Sequence, residues 1–167
     1  GVGAFHKGMK ALHDLELDKT IVKSANKGVP LIGICLGMQM LLDESNEIEV
    51  TKGLGLISGR VEKFPKIKDK NNLIKVPQIN WHEIVPAESS IKWENSLLKE
   101  HSSNDSLYFV HSFVARPSNM DNILANYNYF GTQIPAIIIK DNIIGCQFHP
   151  EKSGEAGLKI LKNFMSV

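Results

Sequence analysis

Apolar positions along the first third of the chain follow helical spacing, broken once by a short continuous apolar run. Phe5, Met9, Leu12 and Leu15 recur every three or four residues and predict an amphipathic helix from residue 5 to about residue 16. A second short helix follows, with Asp18 as its cap, Ile21, Val22 and Ala25 as its buried side and Gly28 as its C-terminal stop. Val29-Pro30-Leu31-Ile32-Gly33-Ile34 is a run of the kind that forms a buried strand in a parallel sheet. Helical spacing resumes from Leu36 to about Leu42. Helix, strand, helix is the grammar of an α/β domain.

The middle of the chain changes to short apolar segments divided by polar and Gly/Asn-rich stretches. Gly59–Phe64, Leu73–Ile79, Leu107–Phe113, Ile123–Tyr129, Ile134–Ile139 and Ile143–Phe148 are predicted strands. The last two meet across Lys140-Asp141-Asn142, and because Asp and Asn tolerate positive φ this junction predicts a tight hairpin turn. Ser153 is expected to cap a closing helix whose Leu158, Leu161 and Phe164 face inward. No repeat, low-complexity segment or linker interrupts the pattern, so residues 1–167 predict one domain with a mixed sheet.

Composition narrows the class. A chain of 167 residues suits one hydrophobic core, and 43% hydrophobic with 22% charged residues is ordinary for a globular protein. The formal net charge of +1 gives no bulk attraction to nucleic acid or an anionic membrane. The one basic run, Lys66-Ile67-Lys68-Asp69-Lys70, reads as a solvated hairpin loop. No apolar stretch approaches membrane-spanning length and no signal peptide is visible. Two cysteines are too few for a disulfide framework and suit a reducing, cytoplasmic setting with free thiols. The six histidines lack paired ligand spacing, so neither a metal nor any other cofactor is expected. Gly53-Leu54-Gly55-Leu56-Ile57-Ser58 lacks the third glycine of a dinucleotide fingerprint.

Candidate chemistry lies where the apolar strand meets a helix, at Gly33-Ile34-Cys35-Leu36-Gly37. A nucleophile on a sharp strand-to-helix turn takes strained dihedrals, and side chains two residues away on either side are expected to clash, hence the glycines. The turn sets Cys35 at a helix N-terminus, which favours the thiolate, and aims the Leu36 N–H at a developing oxyanion. The competing reading is a small buried hydrophobe beside packing glycines. A second signal is Gly145-Cys146-Gln147-Phe148-His149-Pro150-Glu151. Pro150 has no N–H and stops the ladder, so a turn there brings the Glu151 carboxylate onto the His149 imidazole. Such a pair fixes the tautomer and raises the basicity of the other ring nitrogen. An isolated His-x-Glu is more often a capping His and a surface Glu. Together the two segments supply nucleophile, base and orienter, each at a strand end where α/β sheets place their sites. Cys146, inside an apolar strand, reads as core.

Gly33-Ile34-Cys35-Leu36-Gly37-Met38-Gln39 and Gln147-Phe148-His149-Pro150-Glu151 resemble the two signatures of class I (triad-type) glutamine amidotransferases. The opening Gly1-Val2-Gly3-Ala4-Phe5, the block Tyr108-Phe109-Val110-His111-Ser112-Phe113 and His149-Pro150-Glu151-Lys152-Ser153 are similar to one branch, the glutaminase subunits of imidazole glycerol phosphate synthase. The resemblance runs from residue 1 to the last helix. It implies a three-layer, flavodoxin-like α/β fold with a mixed central sheet. It also implies that Cys35 attacks the side-chain amide of glutamine to form a thioester and release ammonia, with His149 and Glu151 as base and orienter. Val2 and Leu36 are then the backbone oxyanion donors, and Gly3, Gln39, Ser112 and Phe113 hold the glutamine. Lys152 and Trp81 are expected near a docking face for a separate (β/α)₈ cyclase subunit, in a heterodimer that makes imidazole glycerol phosphate during histidine biosynthesis.

The sequence departs from the family in two places. Phe113 stands where Tyr is usual, and Val76-Pro77-Gln78-Ile79-Asn80-Trp81-His82 differs from the form usual in histidine biosynthesis. A paralogous subunit feeding ammonia to a sugar-aminating enzyme of surface-polysaccharide synthesis therefore stays open. So do a Cys-His hydrolase and a non-catalytic partner-binding module. The family's domain normally opens with a strand, a helix and a strand before the Gly-Val-Gly loop, so the chain reads as an N-terminally truncated fragment. On that reading, the 167-residue chain alone is expected to hydrolyse glutamine poorly.

Overall fold

The computed structural model describes residues 3–69, 72–74, 76–102 and 104–166. Helix α1 spans Phe5–Asp14 and α2 spans Leu17–Asn26. α2 stops at Gly28, whose φ of 83° lets the Gly28 and Val29 N–H groups bond back to the Ala25 and Ser24 carbonyls at 2.9 and 3.2 Å. Its start corrects the expectation for Asp18. Glu16 takes the cap position at φ 54°, while Asp18 sits inside the first turn, its carboxylate accepting from the Lys19 amide and meeting His13.

The chain continues through β1 (Leu31–Ile34), α3 (Leu36–Met40), β2 (Glu44–Ser45), β3 (Thr51–Lys52) and β4 (Gly59–Lys63). Next come β5 (Lys68–Asp69), β6 (Asn72–Leu73), β7 (Gln78–Pro86), β8 (Ser106–His111) and β9 (Phe113–Pro117). It ends with β10 (Ile123–Tyr129), β11 (Thr132–Lys140), β12 (Ile143–Cys146) and α4 (Gly154–Phe164). Among the described residues these strands form a six-stranded sheet in the order β1-β12-β11-β10-β7-β8, a four-stranded sheet β3-β2-β4-β9 and the small hairpin β5-β6. The large sheet is mixed: β1 runs parallel to β12, and every other neighbour is antiparallel.

Alternation along the strands builds the layers. Ile137 and Ile139 of β11 and Ile144 of β12 pack with Ile160 and Phe164 of α4, while Ile138 and Ile143 pack on the opposite face with Phe5, Ala25 and Met38 of the first three helices. Asp141 carries the predicted β11–β12 turn at φ 52°, and Phe130 and Gly131 make the β10–β11 turn at φ 48° and 80°. The run Lys66 to Lys70 enters the β5–β6 hairpin as expected, with Lys70 itself outside the described residues. No helix among the described residues is long and apolar enough to cross a membrane.

Three predicted elements change. The run Leu107–Phe113 is two strands, because the chain leaves β7 at Ser112 and joins β4 in the other sheet. Both strands are buried on either side of His111-Ser112, and those two polar residues alone do not distinguish a bend from polar positions within one strand. The run Leu73–Ile79 is likewise broken before Gln78, beside Pro77, and β7 then continues to Pro86. In α4, Leu158 is 61% exposed, and Gly157, Ile160 and Asn163 form the buried side, with Leu161 and Phe164 half-buried. Asn163 is buried because its amide donates to the Leu97 carbonyl at 3.1 Å, a pairing that apolar spacing cannot report. Ser153 occupies the cap position without capping. Its hydroxyl donates to the His149 carbonyl at 2.7 Å and accepts from the Tyr108 N–H at 2.9 Å.

Candidate active site

Strand β1 ends at Ile34 and α3 begins at Leu36, leaving Cys35 alone in the turn with φ 52° and ψ −107°. A non-glycine residue held there costs on the order of 1–3 kcal/mol and persists only where its surroundings fix it. Here the Cys35 N–H donates to the Cys146 carbonyl at 2.7 Å, and the Cys35 carbonyl accepts from Gln39 at 3.2 Å. Gly33 is required by space, since a Cβ would lie 2.6 Å from the Gly37 carbonyl carbon and oxygen. The second glycine is not: a Cβ on Gly37 would meet nothing within 4 Å. The expectation of a clash on both sides therefore holds on one side alone.

The base arrives on the neighbouring strand. β12 runs parallel to β1 with Ile34 opposite Cys146, so the chain leaves both strands at the same edge of the sheet. Residues beyond Cys146 stay pinned, as the Gln147 N–H bonds the Ala136 carbonyl and the His149 N–H bonds the Tyr108 carbonyl, each at 2.9 Å. Pro150–Lys152 then forms a single 3-10 turn. This turn folds Glu151 back so that the His149 Nδ1–H donates to its Oε1 at 2.7 Å. With Nδ1 committed as donor, Nε2 carries the lone pair. It is buried and has no hydrogen-bond partner among the described residues.

Burial works on the ionisable groups in opposite ways. Burial is the largest influence on the Glu151 carboxyl and raises it, but the His149 hydrogen bond, a backbone N–H bond and the nearby His149 and Lys152 charges together hold the group below its usual range. For Cys35, burial dominates and pushes the thiol up, with the nearby Glu151 charge adding to the rise. The Leu36 N–H and the Gln147 amide, 3.7 Å from the sulfur, pull the other way. The sequence expectation of a thiolate favoured by the helix terminus is thus corrected: α3 is only five residues long, and desolvation wins. Cys146 is fully buried, with its thiol pushed up to about 12, as befits core packing.

Cys35 opens into a cleft of about 260 Å³ that also takes in Gly3, Leu36, Gln39, Ser112 and Phe113. That volume lies below the roughly 300–1,000 Å³ of drug-sized sites and suits a small metabolite. Wider depressions of about 730 and 620 Å³ lie along Arg60 and Arg116 and between α1 and α2, and neither contains a thiol. The cleft includes two residues that sequence reasoning passed over. Glu47 reaches in from the loop after β2 and accepts from the Phe5 N–H at 2.7 Å. No local pattern marks it. His111 is buried between the Phe113 carbonyl and the Tyr127 hydroxyl, each 2.8 Å away, and was visible only as part of a family block. Val2 lies outside the described residues. Trp81 is 49% exposed and packs edge-on against Tyr108, whose backbone carries the His149 and Ser153 bonds. Lys152 is exposed on the same turn as Glu151. Among the described residues no group of three or more His, Cys, Asp or Glu side chains converges as a metal site.

Residues 3–167 match the family model for glutamine amidotransferase class-I. The imidazole glycerol phosphate synthase subunit HisH 1 of Legionella pneumophila (strain Lens) is 47% identical over 167 residues, covering 100% of this chain and 78% of that protein. The HisH subunit of Geobacillus sp. (strain WCH70) is 42% identical over 167 residues, covering 100% and 76%. Among solved structures, a glutamine amidotransferase superposes with a TM-score of 0.64 at 16% identity, over 98% of this chain and 76% of that one. PurLQS from Thermotoga maritima gives 0.60 at 20% identity, over 90% and 67%. These last two likenesses establish the fold.

Proposed function

The chain belongs to the class-I glutamine amidotransferases, and from that premise we propose that it is the glutaminase subunit of an imidazole glycerol phosphate synthase, acting in histidine biosynthesis. HisH relatives at 40–47% identity favour this assignment over the sugar-aminating paralogue. In this reading Cys35 is the nucleophile, His149 the base and Glu151 its orienter. One observation carries the proposal: a strained Cys at the end of β1 and, leaving the same edge of the sheet from the paired strand β12, a buried imidazole whose outer nitrogen is committed to a carboxylate and whose inner nitrogen has no partner among the described residues.

Because burial keeps the Cys35 thiol protonated at rest, attack needs a base at hand. His149 Nε2 takes the thiol proton as sulfur adds to the side-chain carbonyl carbon of glutamine. The oxygen gathers negative charge, which backbone N–H groups of Leu36 and Val2 stabilise. The imidazolium, steadied by Glu151, returns the proton to the amide nitrogen, the C–N bond breaks and ammonia leaves. Water then attacks the thioester, His149 takes its proton, and glutamate and the free thiol are restored. Gly3, Gln39, Ser112 and Phe113 hold the substrate. A zwitterionic amino acid also needs a carboxylate for its ammonium group, and Glu47 is the carboxylate that lines the cleft.

The relatives are named as subunits, which supports a separate acceptor chain for the ammonia. We infer a (β/α)₈ cyclase as that partner, a cytoplasmic heterodimer, and a docking face around Trp81 and Lys152. Neither nucleic acid nor membrane enters the scheme. The test is a glutamine-analogue affinity label followed by mass spectrometry. Labelling of Cys35 that free glutamine protects against supports the proposal, and modification elsewhere with Cys35 intact rejects it in favour of another Cys-His hydrolase.

A further inference from the structure

We propose that His111, oriented by Tyr127, is a positioning residue for this glutaminase site, and that its Nδ1–H bond to the Phe113 carbonyl sets how the Gln39 and Gln147 amides face the substrate and the Cys35 sulfur. The inference rests on the glutaminase reading of the cleft and assigns the network behind it.

The polarity of this network follows from one backbone oxygen. The Phe113 carbonyl can only accept, and it lies 2.8 Å from His111 Nδ1 and 3.2 Å from the Gln39 side-chain nitrogen. Both neighbours must therefore donate, and the two lone pairs of that oxygen are used. The second Gln39 N–H goes to the Gln147 Oε1 at 3.2 Å. Gln147 must then turn its own nitrogen outward, and it donates to the Cys35 sulfur at 3.7 Å. At the other end, a His111 ring that donates from Nδ1 accepts at Nε2, so the Tyr127 hydroxyl donates to it at 2.8 Å. Two runs of donors thus share the Phe113 oxygen: Tyr127 to His111 to that oxygen on one side, and on the other Gln39, which donates both to it and to Gln147, which in turn donates to the nucleophile. Reversing any member sets lone pair against lone pair in a buried place.

His111 also has a mechanical role. It ends β8, Phe113 begins β9, and between them the chain passes from one sheet to the other at Ser112. The ring spans that bend, bonding a carbonyl two residues on, and the bend itself forms one wall of the cleft. Burial, with His82 close by, lowers the His111 pKa to about 4, so the ring is neutral at ordinary pH, as the relay requires. Burial likewise raises the Tyr127 hydroxyl, which keeps its proton.

Two consequences distinguish positioning from packing. Gln39, its nitrogen spent on protein acceptors, offers only its oxygen to a ligand. Gln147 keeps an N–H on the sulfur, opposing the rise that burial and Glu151 impose on the thiol. The test compares His111→Leu, His111→Asn and Tyr127→Phe with the wild-type protein. Two readouts are taken: the pH dependence of Cys35 alkylation by iodoacetamide, with the site identified by mass spectrometry, and KM for glutamine in the complex with the synthase partner. His111→Leu is expected to move the alkylation profile upward by roughly half to one pH unit and to raise KM by about threefold to tenfold. His111→Asn, whose amide reaches the Nδ1 position, restores most of both. Tyr127→Phe keeps the ring packing, lacks the donor and falls between, which preserves the test even where the leucine variant fails to fold. Native alkylation profiles and KM in a folded His111→Leu or Tyr127→Phe protein overturn the proposal, as does an asparagine variant no better than leucine. A wild-type complex that hydrolyses no glutamine overturns the glutaminase reading instead, and the alkylation profiles still decide the wiring.

Discussion

Replacing Gly157 by alanine sets helix propensity against packing, and the two predict opposite signs. Ala is favoured over Gly inside a helix by about 0.8–1 kcal/mol, so propensity alone makes Gly157→Ala stabilising. The structure predicts the reverse. A Cβ at residue 157 would lie 2.0 Å from the Pro150 carbonyl oxygen, 2.7 Å from its carbon and 2.8 Å from the Ser153 Cβ. Ordinary contact begins near 3.4 Å, leaving the first of these 1.4 Å short. The two nearest obstructing atoms are backbone, which yields less readily than a side-chain tip. Overpacking typically costs about 1–3 kcal/mol, and a backbone obstacle belongs at or above the upper end. Set against the propensity gain, a net loss of about 2 kcal/mol or more remains. The site is affected too, because the retreat falls on the Pro150–Lys152 turn that folds Glu151 onto His149 at 2.7 Å. A displacement near 1 Å at a catalytic group costs on the order of 100-fold in rate. Urea unfolding followed by circular dichroism, together with glutaminase kinetics of the complex, checks both halves. A midpoint that rises, with unchanged kcat/KM, would refute the packing argument.

Three further outcomes are expected. Cys35→Ala reduces glutamine-dependent product formation by the complex to background while the partner still uses added ammonia, and retained glutamine-dependent turnover in that assay would remove Cys35 from the mechanism. Ser153→Ala leaves the Tyr108 N–H and the His149 carbonyl without their shared hydroxyl, costing about 2–4 kcal/mol in urea unfolding and lowering kcat/KM, whereas a loss under about 0.5 kcal/mol would make the hydroxyl incidental. The unfolded chain protonates His111 below about pH 6.5 and the folded chain only near 4, so this contribution to stability is complete above pH 6.5 and lost as pH falls through that window, by up to about 3 kcal/mol. His111→Asn should flatten the stability–pH curve over the same interval.

Features that chemistry demands at short, fixed spacing are legible in the sequence. Cys35 needs a sharp turn between strand and helix, and Gly33 supplies the space. Glu151 must double back on His149, and Pro150 between them ends the extended chain. Helices α1 and α2 and the β11–β12 hairpin were likewise visible, because periodicity and positive-φ residues are local signals. What escaped was decided across the sheets. The bend at Ser112 is one such case, since both flanking strands are buried and two polar residues, His111 and Ser112, do not by themselves separate one strand into two. The inward side of α4 was misjudged because hydrogen bonding buries Asn163 and close backbone approach buries Gly157, while Leu158 lies outside.

The same division runs through the site. The residues assigned to bond making stand in compact motifs, but the groups that aim them are 74 to 108 positions apart in sequence, as Gln39 is from Phe113 and Gln147. Glu47 shows the rule in miniature. It has no motif of its own, yet it bonds a backbone N–H 42 residues away at the start of α1 and lines the cleft beside Cys35. A motif can specify which atoms react, because reaction geometry is set within one turn of chain. The direction in which those atoms face depends on hydrogen-bond polarity carried through buried amides, and that is fixed when distant strands close. The Tyr127-to-Cys35 relay is therefore the part of the site most exposed to substitutions far from the reacting atoms, and a single phenol-to-phenyl exchange is enough to test whether that dependence is real.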